Sequence, residues 1–288
     1  MTIHQPISGM PTCVRKAWLA LGGNTLQLED PTAGYFCQSL DLGTPVMRTV
    51  MTNAPDQDGV IDRTQYMGAR TVTAAITVLA GAGAQIDAVA DNFAPYMVPS
   101  ARPVLHYVLD RPGAPERTLT LRPDSYDWPI VGAAQRDVAL QWIAPNPIAL
   151  DATQQSVTVL WGGPFAVVNN LGDVPLRPLL QLTGPTTQGG VVFQQYSAPG
   201  VSVGNGLIAF LPTYTIAAGH TVWVDTAAHT VLLDNTTPIL NQIDWVNTVW
   251  PVAPPNPGLY RVAWPGGYNT GTTAATQFTV LWNNGYLT

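Results

Sequence analysis

The sequence predicts a mostly β protein built from two β-sandwich domains, the first of them carrying one helix. Three observations predict this. Apolar residues recur at every second position in many short runs, as they do when alternate side chains of a strand face a core. Glycine and proline, 26 of each in 288 residues, punctuate those runs. A single segment has helical spacing.

Composition bounds the rest. Apolar residues make up 46% of the chain, enough for one large core or two medium ones. Charged residues make up only 10%, against a usual ~25%. With 12 basic and 18 acidic residues the net charge is −6, which excludes a global basic footprint for nucleic acid. The start, Met1-Thr2-Ile3-His4-Gln5-Pro6, has no charged region followed by an apolar stretch, so no secretory signal is expected. The longest apolar candidate, Ala74 to Ala84, is broken by Thr77, Gly81 and Gly83 and falls well short of a membrane span. Two cysteines, Cys13 and Cys37, make neither a disulfide scaffold nor a zinc framework, and are expected to serve as small buried hydrophobes.

In chain order, Gly22-Gly23-Asn24 separates Ala17–Leu21 from Leu26–Leu28 as a hairpin turn. The strongest strand follows, with Val72, Ala74, Ile76 and Val78 on one face and Thr71, Thr73 and Thr77 on the other. From Gln85 to Met97, Ile86, Val89, Ala90 and Phe93 form one helical stripe, which Pro95 ends or kinks because proline lacks the amide a helix needs. Leu119 and Leu121 mark another short strand. Ala144-Pro145-Asn146-Pro147 breaks the pattern and places the domain boundary, giving domains 1–147 and 148–288. Beyond it, Val157, Val159 and Trp161 alternate, as do Tyr260, Val262 and Trp264, and Phe278, Val280 and Trp282. Thr221 to Asp225 and Thr230 to Asp234 form a hairpin around Thr226-Ala227-Ala228-His229.

Several constellations bear on chemistry. Gly200-Val201-Ser202-Val203-Gly204 matches the nucleophile-elbow pattern of a serine hydrolase, with Asp225 and His229 later in the chain. That chemistry needs a strand-to-helix turn, whereas the residues after Gly204 read as loop and strand. Gly81-Ala82-Gly83 lies between a strand and a helix, but Ile86 occupies the third glycine position of a dinucleotide fingerprint. The segment Asp56-Gln57-Asp58-Gly59-Val60-Ile61-Asp62 lacks the first and last acids of a calcium loop and reads as a polar turn. His4, His106, His220 and His229 form no metal spacing, although His220 and His229 could face each other across their hairpin. No metal, cofactor or catalytic group is therefore assigned. Trp161, Trp264 and Trp282 are in phase with core residues. Trp223, Trp245 and Trp250 are not, and they are the candidates for an exposed surface contacting a partner or a glycan.

The stretch Arg48 to Val72 holds an arginine strand, an acidic glycine loop around Asp58, Gly59 and Asp62, an aromatic (Tyr66), then Arg70 and a strand. It resembles the distal tail protein family of long-tailed phages. Phe165 to Gly184, with Asn169-Asn170-Leu171-Gly172-Asp173, is similar to the galectin-like, jelly-roll second domain of such proteins. The ending Phe278 to Leu287 looks like minor tail proteins of phages that infect actinobacteria. The resemblance implies a non-enzymatic virion protein, assembled in the host cytoplasm, that forms a hexameric ring at the end of the tail tube. First domains would line a channel through which DNA passes without specific binding. Second domains would project outward to hold baseplate, tail-tip or receptor-binding proteins. Arg48, Asp58, Gly59, Asp62 and Arg70 are the candidate subunit-interface loop, since opposite charges there flank a turn. Two alternatives stand beside this reading: a tail-associated adhesin that binds glycan through Trp223, Trp245 and Trp250, and a hydrolase acting through Ser202.

Overall fold

The computed structural model describes residues 14–48, 51–53, 60–62, 66–80, 86–132, 134–198, 201–255 and 259–287. The chain is mostly β and divides into two compact units. The first comprises Met1–Ala152 with Leu287–Thr288, and the second Thr153–Tyr286. The division falls at Ala152 rather than at Pro147. After the two prolines the chain forms one more strand of the first unit, Ala149–Asp151, paired with Glu116–Thr120.

In the first unit the alternation sets the strands. Val72, Ala74, Ile76 and Val78 of Arg70–Leu79 are all buried. This strand lies inside an antiparallel sheet ordered Arg122–Asp127, Gln135–Ala144, Arg70–Leu79, Tyr35–Asp41. Val138, Leu140 and Trp142 continue the same buried face on the neighbouring strand. Thr77, expected to face solvent, is buried instead, because its hydroxyl donates to Asp137 Oδ1 across the strand pair at 2.9 Å.

A second sheet runs Asn24–Gln27, Val14–Leu21, Val104–Leu109, Glu116–Thr120, Ala149–Asp151. The predicted first hairpin is formed. Gly22 and Gly23 both have positive φ, +56° and +88°, as a two-residue turn matched to strand twist requires. Inward side chains of both sheets, among them Leu19, Leu105, Leu119, Val72 and Trp142, belong to one buried cluster.

The helical segment is shorter and tighter than its stripe implies. An α-helix spans Ile86–Ala90, and a 3-10 helix containing Pro95 continues from Asp91 to Tyr96. The change falls where α geometry would drive the Pro95 ring against the carbonyl of Asp91. Phe93 fills the core and meets Tyr35 edge-on at 5.1 Å, while Asn92 donates to the Tyr35 hydroxyl at 2.7 Å.

Among the described residues the second unit has two large antiparallel sheets, besides the short pair Thr186–Thr187 with Thr215–Ile216. One runs Gln155–Leu160, Gln277–Trp282, Leu179–Thr183, Thr221–Asp225, Thr230–Leu233, Thr237–Pro238. The other runs Ala166–Asn169, Leu259–Ala263, Gly190–Ala198, Val201–Ala209. Val159, Leu180, Leu182, Phe193, Val222, Val224, Val262, Phe278 and Val280 pack together between them. The hairpin around Thr226–His229 is present, with Asp225 opposite Thr230. Trp282 is buried as its phase predicts. Trp161 and Trp264 are not, because each lies one residue past its strand, at Leu160 and Ala263, where the alternation no longer fixes direction. They meet each other edge-on at 5.2 Å, and Trp264 Nε1 donates to the Leu160 carbonyl at 2.9 Å.

Candidate functional site

Three places gather the residues singled out by sequence. The first is an arm of the first unit. After Gly43 the chain pairs Met47–Arg48 with Tyr66–Met67, then Met51–Asn53 with Val60–Asp62. Each pair is a two-stranded ribbon with no third strand among the described residues. Arg48 lies opposite Tyr66, and Asp62 opposite Met51. Asp58 and Gly59, like Asp56, lie outside the described residues. Val46, Met47 and Met67 are exposed at the base of the arm.

Arg70, the last member of that sequence group, is not on the surface. It is 1% exposed, and its Nη1 donates to the carbonyl of Leu287 at 3.2 Å. Burial pushes the guanidinium below its ordinary pKa; the nearby Tyr107 phenol favours its charge, and Arg117 opposes it. Arg117 is also buried, with Tyr107 and Asp151 as its cross-strand neighbours. Sequence could not reveal this polar cluster. Arg70 follows an acidic loop in the chain, but its burial is decided by strands far away in sequence.

The second place is the strand bearing Ser202. Val201–Ala209 is continuous strand, with Ser202 opposite Tyr196, so the strand-to-helix elbow required by the hydrolase pattern is not formed. Asp225 Oδ1 accepts the amides of Ala227 and Ala228 at 2.8 and 2.9 Å, which closes the hairpin turn. His229 stacks on Trp250, and His220 donates from Nδ1 to Asp234 at 2.6 Å. The two histidines thus have separate partners. Two open hollows in the first unit, one beside Thr77 and Asp137 and one between Met97 and Tyr126, contain neither histidine nor cysteine. Among the described residues no group of three potential metal ligands occurs.

The third place is an aromatic platform on the second unit. Trp250 packs against the core, stacks on His229 with centroids 4.5 Å apart at 21°, and meets Trp245 at 6.3 Å and 52°. Trp245 is 56% exposed, Val246 92% and Val249 56%. The segment is held tightly from below. Asp244 Oδ1 accepts the amides of Val246 and Asn247 at 3.1 and 3.3 Å, and Oδ2 accepts Asn247 Nδ2 at 2.7 Å. These bonds, the Asn247 side chain first among them, hold the Asp244 carboxyl below its usual pKa. Leu207 and Val249 exchange amide bonds at 2.9 and 2.7 Å, and Thr248 Oγ1 donates to the Ala209 carbonyl at 3.2 Å.

Of the three tryptophans picked from sequence, Trp245 and Trp250 come together. Trp223 stands apart from that stack, half-buried on the outward side of Thr221–Asp225 between Gln181 and Leu232. Asp244 and Asn247 were missed, and His229, read as a hydrolase or hairpin histidine, stacks on Trp250 instead. The spacing Asp244-Trp245-Val246-Asn247, an acid able to cap its own following amides, was the available signal.

No protein-family model matches the chain, and no curated protein matches its sequence. Its fold does match. The chain is similar to the Dit protein (gp 19.1) of phage SPP1, described as a paradigm of the hub adsorption apparatus in phages infecting Gram-positive bacteria. The TM-score is 0.63 at 14% identity, over 93% of this chain and 98% of that one. A looser likeness, TM-score 0.44 at 8% identity over 93% of this chain and 98% of the other, is to a chain of the phage P2 baseplate in its activated conformation with calcium.

Proposed function

We propose that this chain is a structural, non-enzymatic subunit of a phage tail tip, a hub that closes into a hexameric ring between the tail tube and the adhesion apparatus. The observation that carries the reading is the two short strand pairs, Met47–Arg48 with Tyr66–Met67 and Met51–Asn53 with Val60–Asp62. A two-stranded ribbon is at best marginally stable alone in water, and Val46, Met47 and Met67 are exposed beside the first pair. Such an arm gains its stability by lying on a neighbour.

A ring supplies that neighbour repeatedly, since head-to-tail contacts close by rotation and each copy both gives and receives. The fold shared with the SPP1 protein supports the same role. A charge-poor chain suits interface cores, which are depleted of Asp, Glu and Lys. The first unit is the ring-forming part, and the sequence group Arg48, Asp58, Gly59 and Asp62 supplies the contact. The second unit meets tail-tip or receptor-binding proteins. A net charge of −6 per chain supports a channel through which DNA passes without specific binding. The virion is then the protein's location, with assembly in the host cytoplasm.

Mass photometry of the purified chain tests this. Six copies of 30.8 kDa give about 185 kDa. Replacing residues 49–64 by a short turn should leave the circular dichroism spectrum of the folded units and abolish the large species. A chain that stays monomeric at high concentration, alone and with its tube protein, overturns the reading.

A further inference from the structure

We propose that the second unit carries a carbohydrate-binding platform, in which Trp245 stacks on the ring of a neutral hexopyranose and the Asp244–Asn247 pair binds its hydroxyls. This goes beyond the hub role and does not depend on ring formation.

A pyranose presents two kinds of surface: a flat face of C–H groups and an edge of paired hydroxyls. Its receptor needs an exposed flat aromatic ring, held rigid, with planar polar side chains beside it. Trp245 supplies the ring, more than half exposed. Trp250 supports it at 6.3 Å and is itself fixed between the core and the His229 imidazole. The turn that carries Trp245 is closed by three hydrogen bonds to Asp244 and fastened to Val201–Ala209 through Val249 and Thr248. Little freedom is left to lose on binding, so the stacking energy appears as affinity.

The polar requirement is met at the same turn. A carboxylate offers roughly four acceptor sites, and three at Asp244 are taken, which leaves one for a sugar hydroxyl. Asn247 donates one amide hydrogen to Asp244 and keeps its second donor and its carbonyl oxygen for the ligand. Val246 and Val249 border this group with aliphatic surface that suits an acetamido methyl.

The charge on Asp244 decides between occupants. It repels an anionic wall polymer. It also disfavours a protein lid, because covering the turn would desolvate a carboxylate that makes no ion pair among the described residues. Hydroxyls of a neutral sugar solvate that carboxylate directly.

The test uses the full chain and an array of neutral glucose, galactose and N-acetylglucosamine oligosaccharides, followed by tryptophan-fluorescence titration with the best binder. Saturable binding is expected. Trp245→Ala should weaken it at least about tenfold, the effect of losing one stacked ring. Trp245→Phe should restore part of the loss, Asn247→Ala should weaken binding, and Trp223→Ala should leave it unchanged. Matching thermal melts show that each variant is folded. Silence across the array, binding confined to anionic polymers, equal binding by Trp245→Ala, or loss on Trp245→Ala of a protein partner instead of a sugar would each overturn the proposal.

Discussion

Nη1 of Arg70 donates to the main-chain carbonyl of Leu287 at 3.2 Å, which joins two residues 217 positions apart inside the first unit. The guanidinium is 1% exposed, so water does not compete for the bond. Arg70→Ala removes the donor to a part-buried carbonyl and opens a cavity, and should destabilise the first unit by about 2–5 kcal/mol. Arg70→Met keeps most of the packing and removes the buried charge, and should cost about 1–2 kcal/mol. Urea unfolding followed at Trp142 reads both variants. Equal, negligible losses would show that the bond contributes nothing.

Gly43 leads the chain from Tyr35–Asp41 towards the arm, with φ of +63°. A Cβ on this residue would sit 2.0 Å from the carbonyl oxygen of Thr71, a backbone atom with no room to retreat. Gly113 has a similar φ of +71° but open space around it. Gly113→Ala therefore meets only the left-handed penalty, about 1–2 kcal/mol, whereas Gly43→Ala adds a clash and should exceed it clearly. Melting temperatures of the two variants separate strain from contact; a Gly43→Ala protein as stable as Gly113→Ala would refute the close approach.

Much of this architecture was legible because strand alternation is local. Val72 to Val78, the Gly22-Gly23 turn and the Asp225–Thr230 hairpin all emerged where the residues place them. What escaped depended on partners distant in sequence. Thr77 reads as an outward residue until Asp137 is seen across from it. Arg70 reads as one end of a charged loop until the strands of the first unit enclose it. Trp161 and Trp264 fell to a local cause, since periodicity says nothing one residue beyond a strand end. The platform was half legible. Trp245 and Trp250 stood out as being off phase, but His229 reaches them from another hairpin and no sequence spacing brings it there.

Cys37 carries a buried thiol whose pKa is pushed up to about 11, first by burial and then by Glu29. In the native state it should resist alkylation at neutral pH and react only as fast as the unit opens. The folded value lies above the unfolded 9.0, so the native state holds an extra proton between the two. Stability should fall as pH rises from about 9 towards 11, and Cys37→Ala should flatten that slope. Rapid native-state labelling of Cys37, read by peptide mass spectrometry, would contradict its burial.

Asp244 closes its turn more firmly when ionised, because the two amide bonds and the Asn247 bond are all accepted by its carboxylate oxygens and protonation weakens them. Its folded pKa lies below the ordinary 3.8, so the stabilisation is complete above that value and is lost as pH falls through the lower, folded one. The Trp245 fluorescence of the native protein should therefore be flat from neutral pH down to about 4 and change only below it. Asp244→Ala should produce the acid-like signal at neutral pH, together with faster hydrogen exchange at the amides of Val246 and Asn247 and no change in the strands of the core. Asp244→Asn, which keeps one acceptor oxygen, should fall between the two. Exchange rates at Val246 that match the parent in Asp244→Ala would mean that the bridge between Leu207 and Val249, rather than the carboxylate, sets the shape of the platform.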